Sequence, residues 1–366
     1  MVDAVLSGAG PTADPPATAT AAAQGDAGGV AVASESATSP TGPPGETGAQ
    51  MVSAAAAGAA AAGAADGDVA EHPAIELGPE LTDLDLNHAR LKQIDPGMAL
   101  CENLETVCFR QNFIKKIEHL EALAKLVELD IRDNTLERIE GLEGLASLEI
   151  LDLSYNTIRR VENIAHLDKL KRLFLSANKI TKMDNIGGFP ELTMLELGGN
   201  RIREIGGLAA LPCLHSLFLG KNKITTISGL ESVPTLCVLS VQSNRLTKIE
   251  GLESLVNLEE LYLSHNGIDS MEGLSTLTNL TTLDLSANRL ATIEGVEVLS
   301  KLEEFWFNDN LLENWHEVDR LQSCPDLNCV YFERNPIAKD SGYRRKLQLA
   351  LPSLKQIDAT FTRGGI

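Results

Sequence analysis

Leu148-Glu-Ile-Leu151-Asp-Leu153-Ser-Tyr-Asn156-Thr-Ile158-Arg-Arg-Val161 carries apolar residues at positions −8, −5, −3, +2 and +5 from Asn156. The same frame recurs around an asparagine every 22 residues: Asn112, Asn134, Asn156, Asn178, Asn200, Asn222, Asn244, Asn266, Asn288 and Asn310. Composition alone does not hold ten residues in one register, so the period marks a stack of equivalent units. Within each unit the alternating Leu-x-Leu pair reads as a short strand with its leucines turned inward, and stacked units join these strands into a parallel sheet. The asparagine follows at the bend. Its amide offers two donors and an acceptor, which suits it to backbone groups that the turning chain would otherwise leave unpaired. The second half of the unit, Ile139-Glu-Gly141-Leu142-Glu-Gly-Leu145-Ala-Ser-Leu148, spaces its apolar residues by three, the period of a 3₁₀ turn.

The frame is the leucine-rich-repeat pattern L-x-x-L-x-L-x-x-N-x-L. It predicts an α/β solenoid with a curved parallel sheet on the concave face, 3₁₀ or irregular turns on the convex face, and a C-terminal helical cap. About twelve strands at ~4.8 Å give an inner surface on the order of 50–55 Å long. The solenoid is expected over 77–335, beginning with a variant unit, Leu81 to Ile94, that has Ala89 where the asparagine belongs. At the other end the spacing stretches to 25 residues between Asn310 and Asn335, through the insert Glu313–Asp326. Beyond it, 336–366 reads as a cap whose amphipathic helix, Tyr343 to Pro352, covers the last strand. Residues 1–72, built from Ala, Gly, Pro, Ser and Thr, offer no periodic apolar face and are expected to be a disordered tail.

Charge narrows the function. The formal net charge is −20, and no Lys or Arg precedes Arg90. Such a balance argues against nucleic-acid or anionic-membrane binding through charge, since both need a concentrated basic face. The Ala/Gly run Ala54–Ala65 is too short and too weakly apolar to span a bilayer. An N-terminus with acids and no base fits neither a secretory signal nor a transit peptide, so the cytosol or nucleus is expected. Six cysteines never form Cys-x-x-Cys, and neither they nor the seven histidines have the spacing of a metal site or of a nucleophile and its base. No cofactor, no metal and no catalytic residue is expected. Gly198-Gly199 and Gly220-Lys221 fall at strand-to-turn bends, where a tight backbone accounts for the glycines without a phosphate.

The positions that the frame leaves free are the informative ones. At Asn−4, between the two strand leucines, the side chain faces the concave side and is expected to have no structural duty. Down the repeats this column is Cys108, Asp130, Asp152, Phe174, Glu196, Phe218, Ser240, Tyr262, Asp284, Trp306 and Tyr331. Only 4% of the chain is aromatic, yet five aromatics stand in this one column. Rigidly held aromatics anchor protein partners, and carboxylates among them select a basic one. Glu128, Glu260 and Glu304 lie beside the column at Asn−6.

From about Leu81 to Arg363 the sequence resembles the leucine-rich-repeat regulatory subunits of type-1 protein serine/threonine phosphatase, the regulatory subunit 7 family. The likeness is carried by Ile-Glu-Gly-Leu at 139–142 and 249–252, Leu252 to Gly267, Glu304-Phe-Trp-Phe-Asn-Asp-Asn-Leu-Leu-Glu313, Glu333-Arg-Asn-Pro336, Tyr343-Arg-Arg-Lys346 and Gln356 to Phe361. The resemblance implies a non-catalytic subunit, nuclear and cytoplasmic, whose concave face grips the phosphatase catalytic subunit, with a role in chromosome segregation and phosphatase maturation. It also implies a ternary complex with a small inhibitor protein. The positions matching its contact residues are Asp152, Phe174, Glu196, Phe218, Asp284, Glu304, Trp306 and Tyr331. No basic-Val/Ile-x-Phe/Trp docking peptide occurs, so docking would use the arc itself. A repeat protein of the splicing type or an axonemal dynein-associated one would share the 22-residue frame and remain alternatives.

Overall fold

The computed structural model describes residues 50–53 and 77–362. Among the described residues fifteen strands form one sheet in strict sequence order. β1 is Gln50–Ser53 and β2 Leu81–Asp85. Eleven three-residue strands follow: β3 Thr106–Cys108, β4 Glu128–Asp130, β5 Ile150–Asp152, β6 Arg172–Phe174, β7 Met194–Glu196, β8 Ser216–Phe218, β9 Val238–Ser240, β10 Glu260–Tyr262, β11 Thr282–Asp284, β12 Glu304–Trp306 and β13 Cys329–Tyr331. All pair in parallel and in matched register, so Asp152 stands beside Phe174, Phe174 beside Glu196 and Asp284 beside Trp306. The fold is the expected leucine-rich-repeat solenoid.

The middle residue of each strand points into the core; Leu151, Leu173, Leu195 and Leu217 are fully buried. On the convex side the chain closes each unit with single i→i+3 bonds, such as the Leu145 N–H to Leu142 O (3.0 Å) and the Leu148 N–H to Leu145 O (3.2 Å). Apolar residues three apart therefore stack inward without a continuous helix. The glycine of Ile-Glu-Gly-Leu has a steric reason: Gly141 adopts φ +71°, and a Cβ there would lie 2.2 Å from the Ile117 carbonyl oxygen of the preceding repeat.

The asparagine ladder joins neighbouring repeats. Asn156 Nδ2 donates to Leu153 O and Ser154 O of its own bend and to Ile131 O of the repeat before, each at 3.1 Å. Its Oδ1 accepts the Leu136 N–H at 2.9 Å. The same set runs from Asn112 to Asn310, and Asn335 keeps its essentials, donating to Phe307 O (2.7 Å) and Phe332 O (3.1 Å). Asn200 is 6% exposed, so its bonds replace ones that water could not supply.

Three expectations need correction. The bend is not made by glycine. The residue before each ladder asparagine is left-handed whatever its type, as at Asp133 (φ 57°), Tyr155 (54°) and Lys221 (54°), and Gly199 is the exception in kind. At 220–221 the left-handed residue is the lysine. The asparagine side chain, bonded to its own bend and to the repeat before, holds a conformation that would cost an isolated L-residue roughly 1 kcal/mol.

Secondly, residues 50–53, inside the segment expected to be disordered, form β1 alongside β2. An uncovered β2 edge presents unpaired N–H and C=O groups, and a short extended segment satisfies them. The rest of 1–72 lies outside the described residues. Finally, the last strand is covered by another strand and not by the helix. β14, Gln356–Ile357, pairs with β13 and turns back through β15, Thr360–Phe361. Helix α2, Tyr343–Ala350, instead closes the end of the core with Tyr343 and Leu347. The insert 313–326 holds the short helix α1, Trp315–Asp319, and a 3₁₀ turn, Arg320–Ser323.

Candidate protein-binding face

Each concave position is set by two constraints: a fully buried middle residue on its own strand, and a matched register with both neighbouring strands. Side chains at Asn−4 therefore stand in one row across the sheet. The eight positions singled out from the sequence fall into two groups within it. Asp152, Phe174, Glu196 and Phe218 are neighbours on β5 to β8, and Asp284, Trp306 and Tyr331 are neighbours on β11 to β13, with Glu304 beside Trp306. Ser240 and Tyr262 separate the groups.

In the first group carboxylates alternate with phenyl rings. Asp152 Oδ1 accepts the Ser154 N–H at 2.8 Å. Burial pushes the Asp152 carboxyl above the ordinary aspartate range, against the bonds from Ser154, and the nearby Asp130 charge adds to the rise. Glu196 is raised for the same main reason, with the Ser176 hydroxyl opposing and Asp152 reinforcing. Arg132 lies close enough to favour the charged form of both. These acids sit in a trough of limited hydration, where a partner's cation would be welcomed.

The second group is interlocked. The Trp306 indole meets Tyr331 edge-to-face at 5.7 Å and Tyr262 at 6.2 Å, with interplanar angles of 65° and 63°. Its Nε1–H donates to Glu304 Oε2 at 3.1 Å, while the Tyr262 hydroxyl donates to Glu260 Oε2 at 2.7 Å. Gln356 Nε2, on β14, donates to the Tyr331 hydroxyl at 2.7 Å. Three rings are thus held in fixed orientation by hydrogen bonds from below and by one another from the side, which reduces the entropy lost when a partner packs on them.

The idea that the column has no structural duty fails for its aspartates. Asp130, Asp152 and Asp284 each accept the N–H two residues on, closing the strand end as Asx turns do. Asp284 is only 4% exposed, and its Oδ1 also accepts the Ser286 hydroxyl at 2.6 Å. Its charge reaches the surface as a field more than as a contact. Tyr262, Glu260 and Gln356 join the site without having been singled out for it. Tyr262 was visible in the column; Gln356, 25 residues from Tyr331, carried no signal in its own stretch. Among the described residues no group of His, Cys, Asp and Glu could hold a metal ion, and no helix is long and apolar enough to cross a membrane.

Comparison with known proteins finds leucine-rich repeats within the chain and the same fold in solved structures. The family model described as leucine-rich repeats (2 copies) matches residues 190–232, 234–276 and 256–301, and a leucine-rich-repeat model matches 138–180. The chain is similar to protein phosphatase 1 regulatory subunit 7 of Xenopus tropicalis and of Homo sapiens, each 58% identical over 53 residues. It is also similar to protein phosphatase 1 regulatory subunit pprA of Dictyostelium discoideum, 45% identical over 60 residues. The two 53-residue matches span 14% of this chain and 15% of those relatives. The Dictyostelium match spans 16% of this chain and 18% of that protein. Among solved structures, an internalin of Listeria monocytogenes superposes with TM-score 0.61 at 24% identity, over 73% of this chain and 83% of that one. A leucine-rich-repeat protein of Leptospira interrogans gives 0.63 at 23%, over 76% and 78%. At these identities the likeness concerns the fold.

Proposed function

We propose that this leucine-rich-repeat chain is a non-catalytic regulatory subunit of type-1 protein serine/threonine phosphatase and holds the catalytic subunit on its concave face. The observation that carries the reading is the row of Asn−4 side chains, in which acids and aromatics alternate from Asp152 to Phe218 and culminate in the locked Tyr262–Trp306–Tyr331 cluster. The names of the relatives support the choice of partner. A rigid aromatic cluster supplies the desolvated centre of an interface, and the surrounding carboxylates favour a partner surface rich in Lys and Arg. Regulation by such a subunit is positional: it occupies or presents a surface of the enzyme and contributes no reacting group. A ternary complex with a small inhibitor protein, residence in nucleus and cytoplasm, and action in chromosome segregation belong to the same proposal.

The test is a titration of the full chain against purified type-1 catalytic subunit, with a pull-down from cell extract read by mass spectrometry alongside it. Saturable binding, and recovery of the catalytic subunit, are the expected results. Recovery of spliceosomal or dynein components in its place, with no binding to the purified enzyme, would overturn the reading.

A further inference from the structure

The flank that leaves each strand carries a second surface, opposite in charge to the first. Positions Asn+1, +3 and +4 are solvent-facing between the buried apolar residues at +2 and +5. Over the repeats of Asn178 to Asn244 these positions hold seven Lys or Arg and a single acid, Glu204, in a chain of net charge −20. The Asn+1 column is Lys179, Arg201, Lys223 and Arg245 without interruption. Its spacing is fixed by the backbone: the N–H of each of the four donates to the Asn+2 carbonyl of the preceding repeat at 2.8 Å. Four cations therefore stand one repeat apart along about 15 Å.

Two cations elsewhere on this flank find carboxylates within the molecule, Arg138 with Glu162 at 3.1 Å and Lys116 with Glu118 at 3.9 Å. The acids come from the Asn+6 column, which reads Glu118, Glu140, Glu162 and Asp184 and then lapses at Gly206 and Ser228 before resuming at Glu250. The gap lies beside Arg201, Arg203 and Lys223. Among the described residues none of Lys179, Lys182, Arg201, Arg203, Lys223 and Arg245 takes part in an ion pair. Like charges held this close repel one another, a cost that an anion laid along the row would remove.

We infer that this flank is a second docking surface, for an acidic segment of a partner protein laid along the Lys179–Arg245 row. In an extended peptide side chains on one face repeat every ~6.6–6.8 Å, so the row spans two to three carboxylates of such a segment. Nucleic acid fits less well. The intervening positions at Asn+3 and +4 hold no aromatic residue, four of the eight being threonines, Thr181, Thr225, Thr226 and Thr247, so they offer no stacking platform, and the chain's overall charge opposes a long polyanion. The flank adjoins the concave face without sharing its side chains, so both surfaces can be occupied together.

A fluorescent deca-glutamate peptide titrated with the full chain at 50 and 200 mM salt tests this. Binding at low salt that weakens severalfold at high salt is expected. Arg201→Glu with Lys223→Glu and Arg245→Glu should lose at least tenfold, while Trp306→Ala should bind the peptide as the unchanged chain does. If the triple reversal fails to fold, Arg201→Gln with Lys223→Gln serves, with a loss of about threefold expected and a melting curve as control. No peptide binding by the unchanged chain, or equal binding by the folded variants, would overturn the assignment. So would tighter binding of a single-stranded RNA 20-mer than of the peptide.

Discussion

The two halves of the concave row differ in how their side chains are held. On β5 to β8, Phe174 stands between Asp152 and Glu196 and Phe218 between Glu196 and Ser240, and the two carboxylates bear a burial penalty. On β10 to β13 the aromatic rings touch one another and are pinned by Glu260, Glu304 and Gln356. One half offers charge in a partly dehydrated trough; the other offers a preformed apolar anchor. The contrast teaches that a single repeat frame can carry attraction at one end and packing at the other, because the frame dictates only that these positions face inward.

If the anchor dominates, Trp306→Ala will have the largest effect on the proposed complex. A loss of about 2–4 kcal/mol, roughly 30- to 1,000-fold in affinity, is expected by titration, with an unaltered fold. The exposed convex substitution Glu253→Lys is the matching control and should change little. Wild-type affinity for folded Trp306→Ala would erase the distinction between the halves.

The comparison presupposes that both halves rest on one rigid ladder. Replacing Asn200 by Ala removes donors to Leu175, Leu197 and Gly198 and the acceptor for Ile180. A destabilisation on the order of 1–3 kcal/mol is expected in thermal or denaturant unfolding. An unchanged melting temperature would mean that water replaces the amide.

Glu304 separates positioning from charge. Glu304→Gln retains an oxygen for the indole N–H and removes the charge, so a loss of about 0.5–1 kcal/mol in binding, diminishing with salt, is expected. Glu304→Ala releases the indole as well and should lose more, with little salt dependence in the additional part. Equal losses from the two would show that only the charge matters.

The smallest effect concerns the trough. Burial raises the folded-state pKa of Asp152, so the folded protein holds that proton more tightly than the unfolded chain does. Its contribution to stability is therefore greatest when it is protonated. That contribution falls as pH rises from the ordinary aspartate range through the raised value. Asp152→Asn should accordingly be more stable than the unchanged chain at pH 7, by less than about 1 kcal/mol after allowing for solvent, while binding the partner less tightly. The stability difference should shrink as pH is lowered through that window. A constant difference across it would assign the change to the Ser154 hydrogen bond and not to charge.

The sequence by itself determined the repeat, the inward and outward faces of every strand, the row of acids and aromatics and the place of the ladder. Each of these follows from a side chain's position within its own 22 residues, and period and strand alternation express that directly. Only the tertiary structure decided which residues meet. Trp306 lies between Tyr262 and Tyr331, 44 and 25 residues away in sequence, and Gln356 reaches Tyr331 because β14, and not the helix, closes the sheet. Left-handed backbone at Tyr155 and Lys221 was equally invisible, since residues of every type take that place before the ladder asparagine, and the local bond from Ser286 to Asp284 left no periodic mark because few repeats carry that pair. The cations beside Gly206 and Ser228 fall on both sides of this division: their column follows from the repeat, and only the folded structure shows that, among the described residues, they find no carboxylate.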